Sequence, residues 1–194
     1  MTAAPGGPPT LIALTGYRGS GKTTVAKLLH ARLGAPWRLV DLDAEIQADA
    51  GRSIAAIFES DGEARFRDLE TATLARVLDA AMSDKTPVLL ALGGGTVTER
   101  PENLERLHSA NARTVYLACE PAELARRIRA DAATAEQRPG LTRTDTDPAA
   151  EVATVLARRD PLYRSAADHT LDVGQITPAE AADVLMQLLV PTHR

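Results

Sequence analysis

The sequence predicts an α/β fold, a three-layer sandwich in which a five-stranded parallel sheet is flanked by helices. First, five short apolar segments alternate along the chain with longer segments of helical periodicity, and this alternation is typical of parallel sheets with crossover helices. Second, the third and fourth apolar segments are apolar nearly throughout, as expected of strands that are covered on both faces. The 194 residues suffice for one such domain with a sizeable core.

The predicted strands are short runs in which aliphatic residues dominate. We place them at 11–15 (LIALT), 38–41 (RLVD), 87–92 (PVLLAL), 113–118 (RTVYLA) and 169–173 (HTLDV).

The predicted helices show apolar residues at intervals of three and four. In the second of them, Leu74, Val77 and Leu78 follow this spacing, and the last begins at Thr177 and Pro178, a favourable N-cap and N1 pair. The helices are predicted at 22–33, 62–82, 121–130, 150–160 and 178–189.

Two segments lack apolar anchors. Residues 131–149, here called the lid, are polar with Pro139 and Gly140 near their middle, and a polar loop of this length is typical of a functional lid or of disorder. Residues 1–10 are predicted to be a disordered lead-in. A single domain is therefore expected over 11–190.

Composition and net charge restrict the binding partners and the cellular compartment that we expect for this protein. The net charge of −4 argues against a broad basic surface for nucleic acid. No apolar stretch approaches the roughly 20 residues of a membrane span, and the N-terminus does not resemble a signal peptide. Cys119 is the only cysteine and is expected in the core, which fits a reducing compartment. We therefore expect a cytoplasmic protein, acting as a monomer on small molecules, without nucleic-acid or membrane partners.

A glycine-rich motif follows the first strand. The segment GYRGSGKT, 16–23, satisfies G-x-x-x-x-G-K-[ST] between a predicted strand and a predicted helix, the context of a nucleoside triphosphate loop. Backbone N–H groups there surround phosphates, Lys22 reaches the β- and γ-phosphates, and the Thr23 hydroxyl can ligate Mg²⁺. The expected ATP-binding residues in the loop are Gly19, Ser20, Gly21, Lys22, Thr23 and Thr24. The fold is thus of the phosphate-loop NTPase type.

Many protein classes share this loop, and two are disfavoured. A Ras-type GTPase needs N-K-x-D, but the only asparagines are Asn103 and Asn111, and neither stands in that motif. A motor or transporter ATPase usually carries an aspartate after an apolar strand, where this chain has Gly93, Gly94 and Gly95. A triple glycine at the carboxyl end of a strand lets the backbone approach a ligand closely.

Asp41 and Asp43 follow the second strand, and their roles have two interpretations. In one, Asp43 caps a helix that starts at Ala44, and Asp41 is solvated. In the other, Asp41 is the acidic neighbour of Mg²⁺, and Asp43 orients an acceptor hydroxyl and takes its proton. With the phosphate loop, the second interpretation favours a small-molecule kinase.

Six motifs together resemble the shikimate kinases, a family of nucleoside-monophosphate-kinase-like fold. They occur in the order and spacing of that family over about residues 11–190. They are GYRGSGKTT (16–24), DLD (41–43), GRSIAAIFESDGEARFRDLE (51–70), LGGGTV (92–97), RPGL (138–141) and RRDPLYR (158–164).

The resemblance implies ATP-dependent phosphorylation of the 3-hydroxyl of shikimate, which gives shikimate 3-phosphate and ADP on the way to chorismate and the aromatic amino acids, with Mg²⁺ as cofactor. It implies that Asp43 holds the substrate hydroxyls and is the candidate base. Arg67 and Arg164 would bind the shikimate carboxylate, and Arg138 would close with the lid onto the phosphates. The residues implied to line the substrate are Gly93, Gly94 and Gly95.

Three points stay open at this stage. A kinase of another small hydroxy acid, such as gluconate, could use the same scaffold. A non-catalytic nucleotide or metabolite sensor is a further alternative, although such a relative would be expected to have lost Lys22, Asp43 or Arg138. Any of Arg126, Arg127 and Arg129 could stack on adenine.

Overall fold

A computed structural model describes residues 9–130 and 148–190. Its five strands form one parallel sheet in the order β2-β3-β1-β4-β5, and helices flank this sheet. The strands are β1 (Leu11–Thr15), β2 (Arg38–Asp41), β3 (Val88–Ala91), β4 (Arg113–Ala118) and β5 (His169–Asp172). The helices are α1 (Lys22–Leu33), α2 (Leu42–Ala50), α3 (Ile54–Asp84), α4 (Pro101–Ser109), α5 (Pro121–Ala130), α6 (Pro148–Ala166) and α7 (Pro178–Leu189).

The centre of the sheet forms the core. Every residue of β1 and β3 is buried, and β4 is buried except at its first residue. The expectation of strands covered on both faces is therefore confirmed for β3 and β4. The edge strand β5 alternates between half-buried and exposed residues, as a strand with one exposed face does.

The helix boundaries differ from the sequence prediction in two places. The segment assigned as α3 begins at Ile54, where the Ser53 side chain accepts a hydrogen bond from the Ala56 N–H at 3.2 Å, and its part after Gly62 corresponds to the helix predicted over 62–82. A non-helical residue, Gly62, interrupts it. The fourth predicted helix, α6, runs from Pro148 to Ala166 rather than over 150–160.

One helix, α4, has no counterpart in the prediction. It has Pro101 at its first turn, and its buried residues are Asn103 and Leu107. It is nine residues long and has two leucines, Leu104 and Leu107, which are too few positions to establish a helical period from the sequence.

The helices pack in pairs that frame the sheet. The pairs are α1 with α7, α2 with α3, and α5 with α6. In the described ranges, no helix combines the length and the apolar character needed to cross a membrane.

The sheet topology positions a site at one edge. Since all strands are parallel, the segments that follow β1, β2 and β3 meet at the carboxyl edge of three neighbouring strands. These segments carry the phosphate-loop motif, the two aspartates and the triple glycine. Most of the lid, including Arg138, and most of the predicted lead-in lie outside the described residues.

Candidate active site

The loop between β1 and α1 closes around the ammonium group of Lys22. Lys22 Nζ donates hydrogen bonds to the carbonyl of Gly16 at 2.7 Å and to that of Tyr17 at 3.0 Å. Gly21 precedes the helix with a φ of 87°, so the backbone turns sharply into the positive N-terminus of α1. The loop therefore has the fold of an anion site.

The residues expected to bind ATP divide into two groups. Those that line a large pocket in front of the loop are Gly19, Gly21, Lys22, Thr23 and Thr24. Ser20 is instead only 1% exposed, and its N–H donates to the Tyr17 carbonyl at 3.2 Å. Ser20 thus belongs to the interior of the loop, and the structure does not bring it to the pocket.

Asp41 connects β2 to the phosphate loop. Its Oδ2 accepts a hydrogen bond from the Thr23 hydroxyl at 2.7 Å, and its Oδ1 accepts one from the Ala44 N–H at 3.2 Å. Asp41 is thus the N-cap of α2, and the interpretation in which Asp43 caps this helix is wrong. The strand ends at Asp41, so Asp43 stands in the first helical turn.

A carboxylate and a hydroxyl held together in this way fit a hard cation. Mg²⁺ prefers oxygen ligands and keeps several from phosphate and water, so one or two protein oxygens suffice. Thr23 and Asp41 both line the large pocket, so their chemistry and position fit the metal predicted there.

A second, smaller pocket adjoins the first. Arg18, Asp43 and Ile54 line both pockets, so Asp43 stands at their junction. The other residues that line the smaller pocket are Tyr17, Phe58, Phe66, Arg67, Glu70, Gly93, Gly94, Gly95 and Arg159.

Arg67 is held rigidly at the smaller pocket. Its Nη1 donates to Glu70 Oε2 at 2.8 Å, and its Nη2 donates to Glu63 Oε1 at 3.0 Å. The i,i+3 spacing of Arg67 and Glu70 on α3 places these two side chains next to each other on the helix surface. Burial lowers the pKa of Arg67, but the Glu70 and Glu63 carboxylates outweigh it and keep that pKa above its usual range. Arg67 is thus a fixed, permanently charged group.

The triple glycine packs directly against these charged groups. A Cβ on Gly95 would overlap the Arg67 guanidinium, and one on Gly93 would overlap Glu70 and lie 3.1 Å from Asp43 Oδ1. A side chain at either position would therefore have to displace the Arg67 guanidinium or the Glu70 carboxylate. Gly94 differs, since the nearest atoms to its Cβ position lie 3.5 Å away, an ordinary contact distance.

The structure does not bring Arg164 together with Arg67. The Arg164 side chain is 55% exposed, pairs with Asp160 at 2.7 Å, and lies over the Tyr116 ring. Arg159 of the same helix lines the smaller pocket instead, and its side chain is 4% exposed. The two residues are five positions apart, which on a helix places them on different faces.

A helical pattern in the sequence could have singled out Arg159. The buried residues of α6 include Val152, Val155, Leu156, Arg159 and Tyr163, and these repeat at intervals of three and four. Arg159 continues that buried stripe, whereas Arg164 lies outside it. The resemblance implies Arg164 of the RRDPLYR motif as a ligand of the carboxylate, whereas the structure brings Arg159 of the same motif to the pocket.

Arg127 lies at the far side of the large pocket. It lines this pocket, and its guanidinium donates to Glu123 at 2.7 Å and to the Val173 carbonyl at 2.8 Å. Arg126 contacts the same carboxylate but is 68% exposed. Of the arginines left open for adenine, Arg127 is therefore the one whose position fits.

Comparison with known proteins agrees with this geometry. The family model described as "Shikimate kinase" matches residues 18–190. A curated shikimate kinase of Rhodopirellula baltica is 43% identical over 166 residues, which cover 86% of this chain and 83% of that protein.

Solved structures give the same result. A shikimate kinase from Acinetobacter baumannii in complex with shikimate superimposes with a TM-score of 0.77 at 34% identity, covering 93% of this chain and 92% of the other. A gluconokinase from Sinorhizobium meliloti has a TM-score of 0.56 at 21% identity, covering 94% of each chain, and shares the fold alone.

Proposed function

Since this chain belongs to the shikimate kinase family, we propose that it transfers the γ-phosphoryl group of ATP to the 3-hydroxyl of shikimate, giving shikimate 3-phosphate and ADP. The observation that carries the residue assignment is the position of Asp43, which lines both the pocket in front of the phosphate loop and the pocket that holds Arg67 and Arg159. A group at this junction can contact donor and acceptor together.

The large pocket would bind ATP. Lys22 would exchange its hydrogen bonds with loop carbonyls for bonds to phosphate oxygens, and the N–H groups around Gly19 and Gly21 would surround the same phosphates. Thr24 would lie beside the bound phosphates, and the Arg127 guanidinium would contact the adenine ring.

Thr23 and Asp41 would hold Mg²⁺ on the phosphates. When bound, this ion neutralises charge on the β- and γ-phosphoryl oxygens. Within the protein, the hydrogen bond from Thr23 to Asp41 at 2.7 Å already fixes both oxygens at the mouth of the loop.

The smaller pocket would bind shikimate. Its carboxylate requires forked cationic donors, and arginine supplies them in a fixed plane. Arg67 and Arg159 are both nearly buried and line this pocket, so we assign the carboxylate to these two and not to Arg164. Gly93, Gly94 and Gly95 would line the ring of the substrate.

Asp43 would act as the base. Its carboxylate would accept a hydrogen bond from the acceptor hydroxyl, orient the oxygen toward the γ-phosphorus, and take the proton as the new P–O bond forms. The bond from the γ-phosphorus to the bridging oxygen of ADP breaks in the same transfer.

The remaining expectations stay proposals. We expect Arg138 to close with the lid over the phosphates and exclude water. We expect one kinase domain over 11–190 that acts as a monomer in the cytoplasm, with no nucleic-acid or membrane partner. Size-exclusion chromatography with light scattering tests the monomer.

The test of function is ADP release from Mg-ATP with shikimate, gluconate or no acceptor offered separately. We expect shikimate alone to stimulate release. Stimulation by gluconate instead would favour a kinase of another hydroxy acid, and ATP binding without stimulation by either acid would favour a sensor.

A further inference from the structure

The carboxylate of Glu99 holds the guanidinium of Arg159. Arg159 Nε donates to Glu99 Oε1 at 2.8 Å, and Nη2 lies 2.7 Å from the same oxygen. The Arg159 side chain is 4% exposed and that of Glu99 is 27% exposed. An ion pair with one buried partner is screened less than a surface pair, so its geometry is better defined.

The contact occupies one edge of the guanidinium. Nε and Nη2 share the side edge of this planar group, and a guanidinium carries five N–H donors in all. A carboxylate on the side edge fixes the plane and leaves donors at the end of the group. Because Arg159 lines the smaller pocket, the fixed plane determines how those donors meet a ligand there.

A second contact anchors the same helix one turn later. The Tyr163 hydroxyl donates a hydrogen bond to the Gly94 carbonyl. Burial raises the pKa of Tyr163, so this hydroxyl stays protonated and remains a donor. Glu99 and Gly94 both belong to the segment that follows β3, so α6 is tied at two points to the segment that forms the pocket wall.

Arg67 offers an internal comparison. Its partner Glu70 lies three residues along the same helix and is fully buried, whereas Glu99 lies 60 residues before Arg159 in the chain. Two of the arginines that line this pocket, Arg67 and Arg159, are thus each oriented by a carboxylate, one through a local contact and one through a contact between separate elements.

We propose that Glu99 is a positioning residue for Arg159, holding its guanidinium in the plane that binds the carboxylate of the acceptor. The inference rests on the proposed role of Arg159. It extends the site to a residue that does not line either pocket.

The experiment measures steady-state kinetics and thermal stability for Glu99→Ala and Glu99→Gln, with Arg158→Ala as the matched control. Arg158 also approaches Glu99, at 3.5 Å, but its side chain is 69% exposed. We expect Glu99→Ala to raise the KM for shikimate about tenfold, the order set by one charge-assisted hydrogen bond. The KM for ATP and kcat should change less than about twofold, since an interaction made equally in ground and transition states affects KM alone. Glu99→Gln keeps an acceptor oxygen and should restore part of the loss, and Arg158→Ala should behave as the parent.

A double-mutant cycle separates positioning from a general structural role. In an Arg159→Ala background, Glu99→Ala should raise the KM for shikimate no further, because the group that it positions is gone. A further increase of similar size would overturn the inference. So would a KM for shikimate in Glu99→Ala that is unchanged or lower than that of the parent, with an unchanged Tm.

The same measurements distinguish this inference from the proposed function. If Arg159→Ala raises the KM for shikimate and both Glu99 variants leave it unchanged, only the positioning role is wrong. If Arg159→Ala also leaves it unchanged, the assigned role of Arg159 fails, and the role of Glu99 fails with it.

Discussion

Arg67 Nη1 lies 2.8 Å from Glu70 Oε2, and Glu70 has no exposed surface. The other oxygen of Glu70 accepts a hydrogen bond from the Thr96 hydroxyl at 2.5 Å. Both carboxylate oxygens therefore have donors, and the charge is compensated within the interior. The arginine that we propose to bind the substrate is thus part of the buried packing of α3 against the turn that follows β3.

This pair leads to a stability prediction. Glu70→Ala leaves the Arg67 charge without its buried partner, and we expect the free energy of unfolding to fall by about 3–5 kcal/mol. Denaturant titration measures the loss. Asp49→Ala is the control, because Asp49 pairs with Arg76 at 2.7 Å on the surface, and such pairs contribute about 0–1 kcal/mol. Equal losses in the two variants would contradict the buried-pair assignment.

Asp43 gives a prediction on the chemical step. Asp43→Asn removes the carboxylate that we propose as the proton acceptor at the junction of the two pockets and keeps nearly the same shape. We expect kcat to fall by about 10²–10⁴, the usual contribution of general-base catalysis, while ATP binding measured by calorimetry stays near that of the parent. Turnover close to that of the parent would exclude Asp43 as the base.

The two arginines of α6 should differ sharply. Arg159→Ala removes charge-assisted hydrogen bonds to the acceptor carboxylate, and we expect the KM for shikimate to rise about 10–100-fold. Arg164→Ala removes an exposed side chain that pairs with Asp160, and we expect less than about a twofold change. A large rise in the KM for Arg164→Ala, with little change for Arg159→Ala, would instead assign the carboxylate contact to Arg164.

The turn after β3 can be tested one residue at a time. Gly95→Ala brings a methyl group into the Arg67 guanidinium, so we expect a loss of stability of about 1–3 kcal/mol and a higher KM for shikimate. Gly94→Ala is the matched control for stability, because its methyl group would lie at an ordinary 3.5 Å from its neighbours. Thermal melts give the Tm of each variant. A lower Tm for Gly94→Ala than for Gly95→Ala would contradict the packing argument.

The single cysteine gives a prediction about reactivity. Burial raises the pKa of the Cys119 thiol, so the reactive thiolate is even scarcer at neutral pH than for a free cysteine. Cys119 is also only 7% exposed. We expect slow reaction with a disulfide reagent at pH 7 in the folded protein and fast reaction in denaturant. Equal rates in both would show that Cys119 is accessible.

Much of this architecture could be predicted, because the strands and the phosphate loop have strong local signals. β1, β2 and β4 begin and end at the predicted residues, since runs of aliphatic residues have few other stable environments. The parallel order then brings the ends of neighbouring strands to one edge, and the loop and the aspartates meet there as expected.

The features that the sequence did not predict depend on where an element ends or on contacts between residues that are far apart in the chain. The pairing of Glu99 with Arg159 spans 60 positions, and no local pattern reports it. The cap of α2 depends on where β2 ends, and a shift of two residues moves the cap from Asp43 to Asp41. The choice between Arg159 and Arg164 required the buried face of α6, which its apolar residues define only when the whole helix is considered.

The wall shared by the two pockets has a thermodynamic consequence. Arg18 and Asp43 line both, so occupation of one pocket alters the charge and the solvation that the other presents. We therefore expect that the two substrates do not bind independently. Linkage requires that the factor by which ATP changes the affinity for shikimate equals the factor by which shikimate changes the affinity for ATP. One free energy of coupling, to which Arg18 and Asp43 would contribute, therefore describes how the binding of each substrate changes the affinity for the other.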